Sequence, residues 1–366
     1  MLDVAIFGRH PDLEYGFNGV MSAHEAMGFT AAGCRVHLYL PMTEVHNVET
    51  LLSRHKKKSL DELDHFGANF DISILHPGDG PVRHHDVTIW QSYREQDNTY
   101  KAQFRRGTGL ITKNYPQLLT GNLERDRVIL TTQCKAFDLV TFALRSDYVI
   151  AQALEMEKQV QYVPRGFNPD WLKPQQDLEV PTIGFDRAIK SDDDLKAIEH
   201  IVNVGKRLRE HRPNVKFLSL RAVIPELDSK TIRHQHFRSF YEAFTNRTWI
   251  YMPVNFMHSA HGVRRFDRED GSWGYRGLYE NQIVEAQMAG GIPVMHKYEI
   301  SPELYIEGET GLTFSSFEDL DEIESKLIDI IDNFKVYTAR AREFAITQHN
   351  YRRMVDCWIE GIKAIA

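Results

Sequence analysis

Apolar runs and amphipathic stretches alternate along the first 80 residues: a short run at 4–7, apolar positions at helical spacing over 20–32, a second run at 36–40 and a third at 70–75. That alternation predicts parallel βαβ units. The rhythm returns at 87–90, 128–130 and 137–142, followed by a helix predicted over 146–156 and a short strand at 160–163. Pro164-Arg165-Gly166-Phe167-Asn168-Pro169 and Trp171-Leu172-Lys173-Pro174 then interrupt it. Their prolines and glycine suit a turn or hinge better than a helix or a central strand.

A second series follows, with strands predicted at 182–185, 215–220, 248–254 and 292–295, an amphipathic helix over 192–210 and a helix over 279–289. Residues 318–334 and 339–365 read as helices, the latter long enough to reach back over the first domain. The pattern predicts an α/β chain of two Rossmann-like domains, 1–165 and 166–340, with a cleft between them and a C-terminal helix, 341–366, that packs back on the first.

Size agrees with two domains, since 366 residues exceed the roughly 250–300 at which one core stops growing. No apolar run approaches the roughly 20 residues of a membrane-spanning helix, so a soluble chain is expected. The sequence enters its first strand with no basic, long apolar or cleavage-site segment, which argues against secretion. Cys34, Cys134 and Cys357 are scattered and fit neither a disulfide framework nor a zinc site, consistent with a reducing cytoplasm. A net charge of −7 lacks the basic excess of a protein that neutralises nucleic-acid phosphates.

The most specific chemistry-bearing segment is 279–295, which contains Glu280, Glu285-Ala286-Gln287-Met288-Ala289, a Gly-Gly stop and Ile292-Pro293-Val294. A helix that starts near Tyr279 aims its free N–H groups and positive dipole end at whatever lies in front, which suits a diphosphate. Glu280 and Glu285 are then candidates to meet sugar or ribose hydroxyls. The alternative is ordinary packing of a helix, a Gly-Gly turn and a buried strand.

This run resembles the donor-binding segment of the GT-B glycosyltransferases of the retaining family 4 type, whose Glu-x7-Glu pair precedes Ala-Met-Ala-x-Gly-x-Pro-Val. Glu285, Ala286, Met288, Ala289, Gly291, Pro293 and Val294 keep that order, with Gln287 as an extra residue. Gly277 stands where the family has its first glutamate, and Glu280 is the nearest substitute. The segment 183–190 looks like the family's Gly-Arg…Lys contact to the donor diphosphate, with Arg187 to fork onto two phosphate oxygens and Lys190 to add a point charge. Alternatively, these cations form a solvated loop with Asp192, Asp193 and Asp194.

In the first domain, residues 14–20 resemble the glycine-rich first loop of the family's acceptor domains, with Gly19 as the contributor. His76 ends the run at 70–75 and so stands at the carboxyl edge of the predicted sheet, where ligands bind in open α/β folds. Many relatives carry a histidine at such a strand end. It is a candidate to contact the transferred sugar or the acceptor, against an incidental role among 17 histidines. His10 is a further, weaker candidate.

Residues 257–276 read as a lid or acceptor contact, or, through His258, His261, Arg264, Arg265 and Trp273, as a nucleic-acid contact. No Asp-x-Asp follows a strand, so no metal is expected, and Asp192-Asp193-Asp194 suits a helix cap. The resemblance implies a glycosyltransferase that binds a nucleotide-sugar donor through Arg187, Lys190, Glu280 and Glu285, with retention. Its acceptor would enter near Gly19 and His76 and would be a glycan, a small molecule or a hydroxymethylated DNA base. A nucleotide-sugar epimerase and a non-catalytic nucleotide-sugar-binding scaffold are the alternatives. The motifs specify neither base, sugar, acceptor nor oligomeric state.

Overall fold

The computed structural model describes residues 1–13, 17–42, 47–54, 56–91, 100–115, 123–154, 159–186, 192–220, 223–232, 241–253, 281–296 and 301–365. The chain divides into two compact units, Met1–Phe167 with His349–Ala366, and Asn168–Gln348.

The first unit holds seven strands: β1 (Asp3–Phe7), β2 (Arg35–Pro41), β3 (Asp71–Leu75), β4 (His85–Trp90), β5 (Thr108–Tyr115), β6 (Leu139–Phe142) and β7 (Gln159–Tyr162). They lie parallel in the order β3-β2-β1-β4-β5-β6-β7. The crossovers include α1 (Phe17–Ala31), α2 (Val48–Arg54), α3 (Lys101–Gly107), α4 (Leu123–Cys134) and α5 (Arg145–Ala153). The strand order reverses between β1 and β4, the place where open α/β sheets bind ligands at the carboxyl ends of their strands. Below that point Phe7 stacks on Trp90 at 4.0 Å, with Tyr100 and Phe104 against it.

The second unit repeats the plan. Strands β8 (Thr182–Asp186), β9 (Lys216–Leu220), β10 (Lys230–Ile232), β11 (Ile250–Pro253), β12 (Ile292–His296) and β13 (Leu312–Phe314) lie parallel in the order β10-β9-β8-β11-β12-β13. Its helices include α6 (Asp192–His211), α7 (Asn281–Met288), α8 (Leu320–Asp332) and α9 (Phe334–His349). The reversal point here falls between β8 and β11.

Three of the differences from the sequence expectation have a clear physical reason. Residues 128–130 lie within α4, where Val128 is 62% exposed and Leu130 buried, so a three-residue apolar run was one helical face rather than a strand. Strand β5 was not anticipated, because Thr108-Gly109-Leu110-Ile111-Thr112 has too few apolar positions to stand out. The single helix expected over 339–365 is two: the chain breaks at Asn350, which bridges to Phe167, and α10 (Tyr351–Ile365) then packs on α1 within the first unit. Met354, Val355, Trp358 and Ile362 form its buried face.

Candidate functional site

In the second unit the reversal point sets the end of β8 beside β11, with Asp186 paired to Pro253. Arg187 follows Asp186 directly in the chain. Arg187, Lys190, Glu280, Gly277 and the segment 257–276 all lie outside the described residues. What is described of the donor motif is α7, its stop and β12.

The motif folds this way because α7 is buried on all sides from Ile283 to Met288 and then needs a left-handed residue to turn into β12. Gly290 supplies it with φ +82°, and Gly291 donates its N–H to the carbonyl of Ala286 at 2.7 Å. Glu285 is 3% exposed, and its Oε1 accepts the Tyr241 hydroxyl at 2.8 Å. One turn earlier Gln282 accepts the Tyr251 hydroxyl of β11. Gln287 is fully buried and donates to the Thr310 carbonyl at 3.1 Å.

Sequence reading missed the residue that ties the motif down. From α9, the Arg342 guanidinium donates to the Met288 carbonyl at the end of α7, to Leu172 at 2.7 Å and to Pro169 at 3.4 Å. It thereby serves a helix-end carbonyl that has no partner within its own helix. Nothing in the spacing of 334–349 marks it, because its partners are main-chain atoms 54 and 170 residues away. Close by is a cavity of about 310 Å³ whose walls include Trp171, Lys173, Tyr241, Glu242 and Asn246.

In the first unit the reversal point is built around Gly8, the residue after β1. A Cβ there would lie 2.2 Å from Ser22 Oγ and 3.3 Å from Ser22 Cβ, so any larger residue requires the Ser22 hydroxyl to turn away. The helix starts at Phe17, and Gly19, expected in the loop, is buried in its first turn. The signal for Gly8 was its position immediately after the first apolar run.

Two histidines receive definite settings. His10 Nδ1 accepts the Asp12 N–H at 3.1 Å and its Nε2 meets the Asp64 carbonyl at 3.0 Å, which fixes the proton on Nε2. Burial pushes it down to about 4, so it is a neutral strut with both nitrogens used. His76 is exposed beyond β3, the outermost strand described on that side and two strands from the reversal point. Its own N–H donates to Asp79 Oδ2 at 2.8 Å, while its carbonyl accepts Gln103 Nε2.

Glu25, also missed, is fully buried in α1. Its Oε1 lies 2.5 Å from the Gln91 side-chain amide, just past β4, and 3.2 Å from Trp358 Nε1 of α10. Burial pushes its carboxyl up to about 8, and its two hydrogen bonds only partly oppose that. Its helical neighbours Met21 and Phe29 are the signal that could have placed it on the buried face.

Among the described residues no group of three or more His, Cys, Asp or Glu is placed to hold a metal, and no helix is long and apolar enough to cross a membrane.

No protein-family profile and no curated protein sequence matches the chain. Solved structures match over its full length. Anabaena HepE in complex with UDP and glucose aligns with a TM-score of 0.63 at 11% identity, covering 100% of both chains. Sucrose-phosphate synthase from Thermosynechococcus elongatus gives 0.63 at 11%, again over 100% of both chains. A glycosyltransferase from Rickettsia africae gives 0.61 at 13%, over 100% of this chain and 98% of that one. At such identities the likeness is one of fold, and the fold is GT-B, with two Rossmann-like domains in one chain.

Proposed function

We propose that the chain is a glycosyltransferase that moves a sugar from a nucleotide-activated donor to an acceptor hydroxyl. The observation that carries this reading is the full-length correspondence in fold to a protein solved with UDP and glucose. The motif of α7 and β12, which keeps Glu285, Ala286, Met288, Ala289, Gly291, Pro293 and Val294 in the order seen in such enzymes, supports it.

On this reading the donor docks against the second unit. Arg187, Lys190 and the start of the helix near Glu280 offset the charge that builds on the leaving nucleoside diphosphate. Glu285, oriented by the Tyr241 hydroxyl, holds ribose hydroxyls, and Glu280 takes the place of the glutamate absent at Gly277. The acceptor is taken by the first unit, near Gly19 and His76. Transfer proceeds with retention and without a metal, the phosphate charge being met by cations and the helix dipole. The acceptor hydroxyl belongs to a glycan or small molecule; a hydroxymethylated DNA base is the variant to test beside it.

A thermal-shift screen against UDP-, GDP-, ADP- and dTDP-sugars tests the donor site. One nucleotide is expected to stabilise the protein, with the shift lost in Arg187→Ala and reduced in Glu285→Gln. Stabilisation by none of them would contradict the reading. Conversion of the nucleotide-sugar to its epimer in the absence of any acceptor, without release of nucleoside diphosphate, would favour epimerase chemistry, and binding without turnover would favour a scaffold.

A further inference from the structure

The cavity of the second unit is built at the amino edge of its sheet. Asn246 stands four residues before β11, and its carbonyl accepts the Gln175 N–H at 2.8 Å. Gln176 donates to the carbonyls of Thr248 and Ala289, which lead into β11 and β12. The donor reading uses the opposite, carboxyl edge, at the end of β8.

The walls are fixed by hydrogen bonds. Asn246 Nδ2 donates to the Trp171 carbonyl at 3.0 Å, and the N–H groups of Asp170 and Trp171 both return to Asn168, at 2.9 and 3.1 Å. Arg342 holds the Pro169 and Leu172 carbonyls of the same turn. Such a preformed hollow, about 310 Å³, stands at the small end of ligand pockets, roughly 300–1,000 Å³, and suits one six-membered ring with its substituents. It opens to solvent, since the Asp170 and Lys173 side chains that line it are 81% and 55% exposed.

The chemistry of the walls selects the ligand. Asp170 and Lys173 bring opposite charges 3.9 Å apart, and Glu242 adds an exposed carboxylate. The Tyr241 hydroxyl is already donated to Glu285, so Tyr241 contributes an aromatic wall, as does Trp171. An anion would meet two carboxylates, and an apolar ligand would strip water from three charged groups. A pyranose satisfies the whole set. Its hydroxyls both donate and accept, so they can give to Asp170 and Glu242 and take from Lys173 while the C–H face of the ring lies against an aromatic side chain. We propose that this cavity is a saccharide-binding site that takes one neutral pyranose unit. It is separate from the donor site and does not depend on whether the chain transfers a sugar.

NMR titration of the full chain with D-glucose, D-galactose, D-mannose and N-acetylglucosamine tests this. The probe is the Trp171 indole N–H signal, identified by its absence from Trp171→Phe. At least one sugar is expected to shift that signal with a Kd of about 1 mM, the range that a ligand of this size reaches. Asp170→Ala and Glu242→Ala, both at exposed side chains, are each expected to weaken binding roughly tenfold with the thermal unfolding midpoint unchanged. Excess UDP-glucose is expected to leave the titration as it was. Displacement by UDP-glucose would assign the sugar to the donor site and overturn the proposal. So would sugar binding that leaves the Trp171 signal unmoved or survives both substitutions. A response to putrescine and to none of the four sugars would make the cavity an amine site and overturn the saccharide assignment, as would no response at all. If no nucleotide-sugar stabilises the protein, the transferase reading fails, and the Trp171 titration still decides this one.

Discussion

Gly8 and Arg342 show what single residues settle. At Gly8 a Cβ meets Ser22 Oγ, so Gly8→Ala turns that hydroxyl away from the Arg9 N–H it accepts and is expected to destabilise the first unit by roughly 1 kcal/mol in urea denaturation. Arg342→Met leaves the carbonyls of Met288, Leu172 and Pro169 without their donor. A loss of roughly 1–3 kcal/mol is expected, read in the same experiment as earlier unfolding of the second unit. Buried histidines set the acid limit of the first unit. His10 is pushed down to about 4, His24 to about 3 and His349 to about 4, against 6.5 in the unfolded chain. The unfolded state therefore binds more protons across that window. Stability is full above pH 6.5 and falls as pH drops through 4, a loss that acid titration followed by circular dichroism would register. Glu25 works in the opposite sense: raised from 4.5 to about 8, it contributes stability that is full below 4.5 and declines as pH rises to 8. Glu25→Gln should flatten that alkaline limb alone.

Among elements, α7 and its stop have the clearest sequence record. Glu285 through Val294 announced a helix, a Gly-Gly turn and a strand because each step has its own local cause: periodicity, positive φ, then a short apolar run. Gly290→Ala puts a Cβ 2.4 Å from Thr338 Oγ1 in a left-handed conformation, so it is expected to destabilise the second unit and weaken any nucleotide-sugar shift. Elements with weak local signals were misread. The 128–130 run was too short to separate one helical face from a strand, and β5 carries too few apolar residues to be seen without its partners β4 and β6. The break at Asn350 depends on its bridge to Phe167, 183 positions earlier, which no local pattern encodes. The same reason hid Arg342 and the Glu25 cluster, whose contacts are long-range, whereas Glu285 was visible because its motif is contiguous.

At the scale of the molecule, two sheets share one plan, each reversing its strand order beside its first strand, and the βα rhythm of the sequence predicted that architecture. Each sheet has one reversal point, the first beside Gly8 and Gln91 and the second beside the end of β8, the place where open α/β sheets bind ligands. The central claim is that the chain transfers a sugar. Its most direct test is to incubate the protein with the nucleotide-sugar that stabilises it and a panel of saccharide, small-molecule and hydroxymethylated-DNA acceptors, and to measure nucleoside diphosphate and glycosylated product by mass spectrometry. The account predicts nucleoside diphosphate and glycosylated product in equal amounts, both abolished in Arg187→Ala; nucleotide-sugar binding with neither product would contradict it.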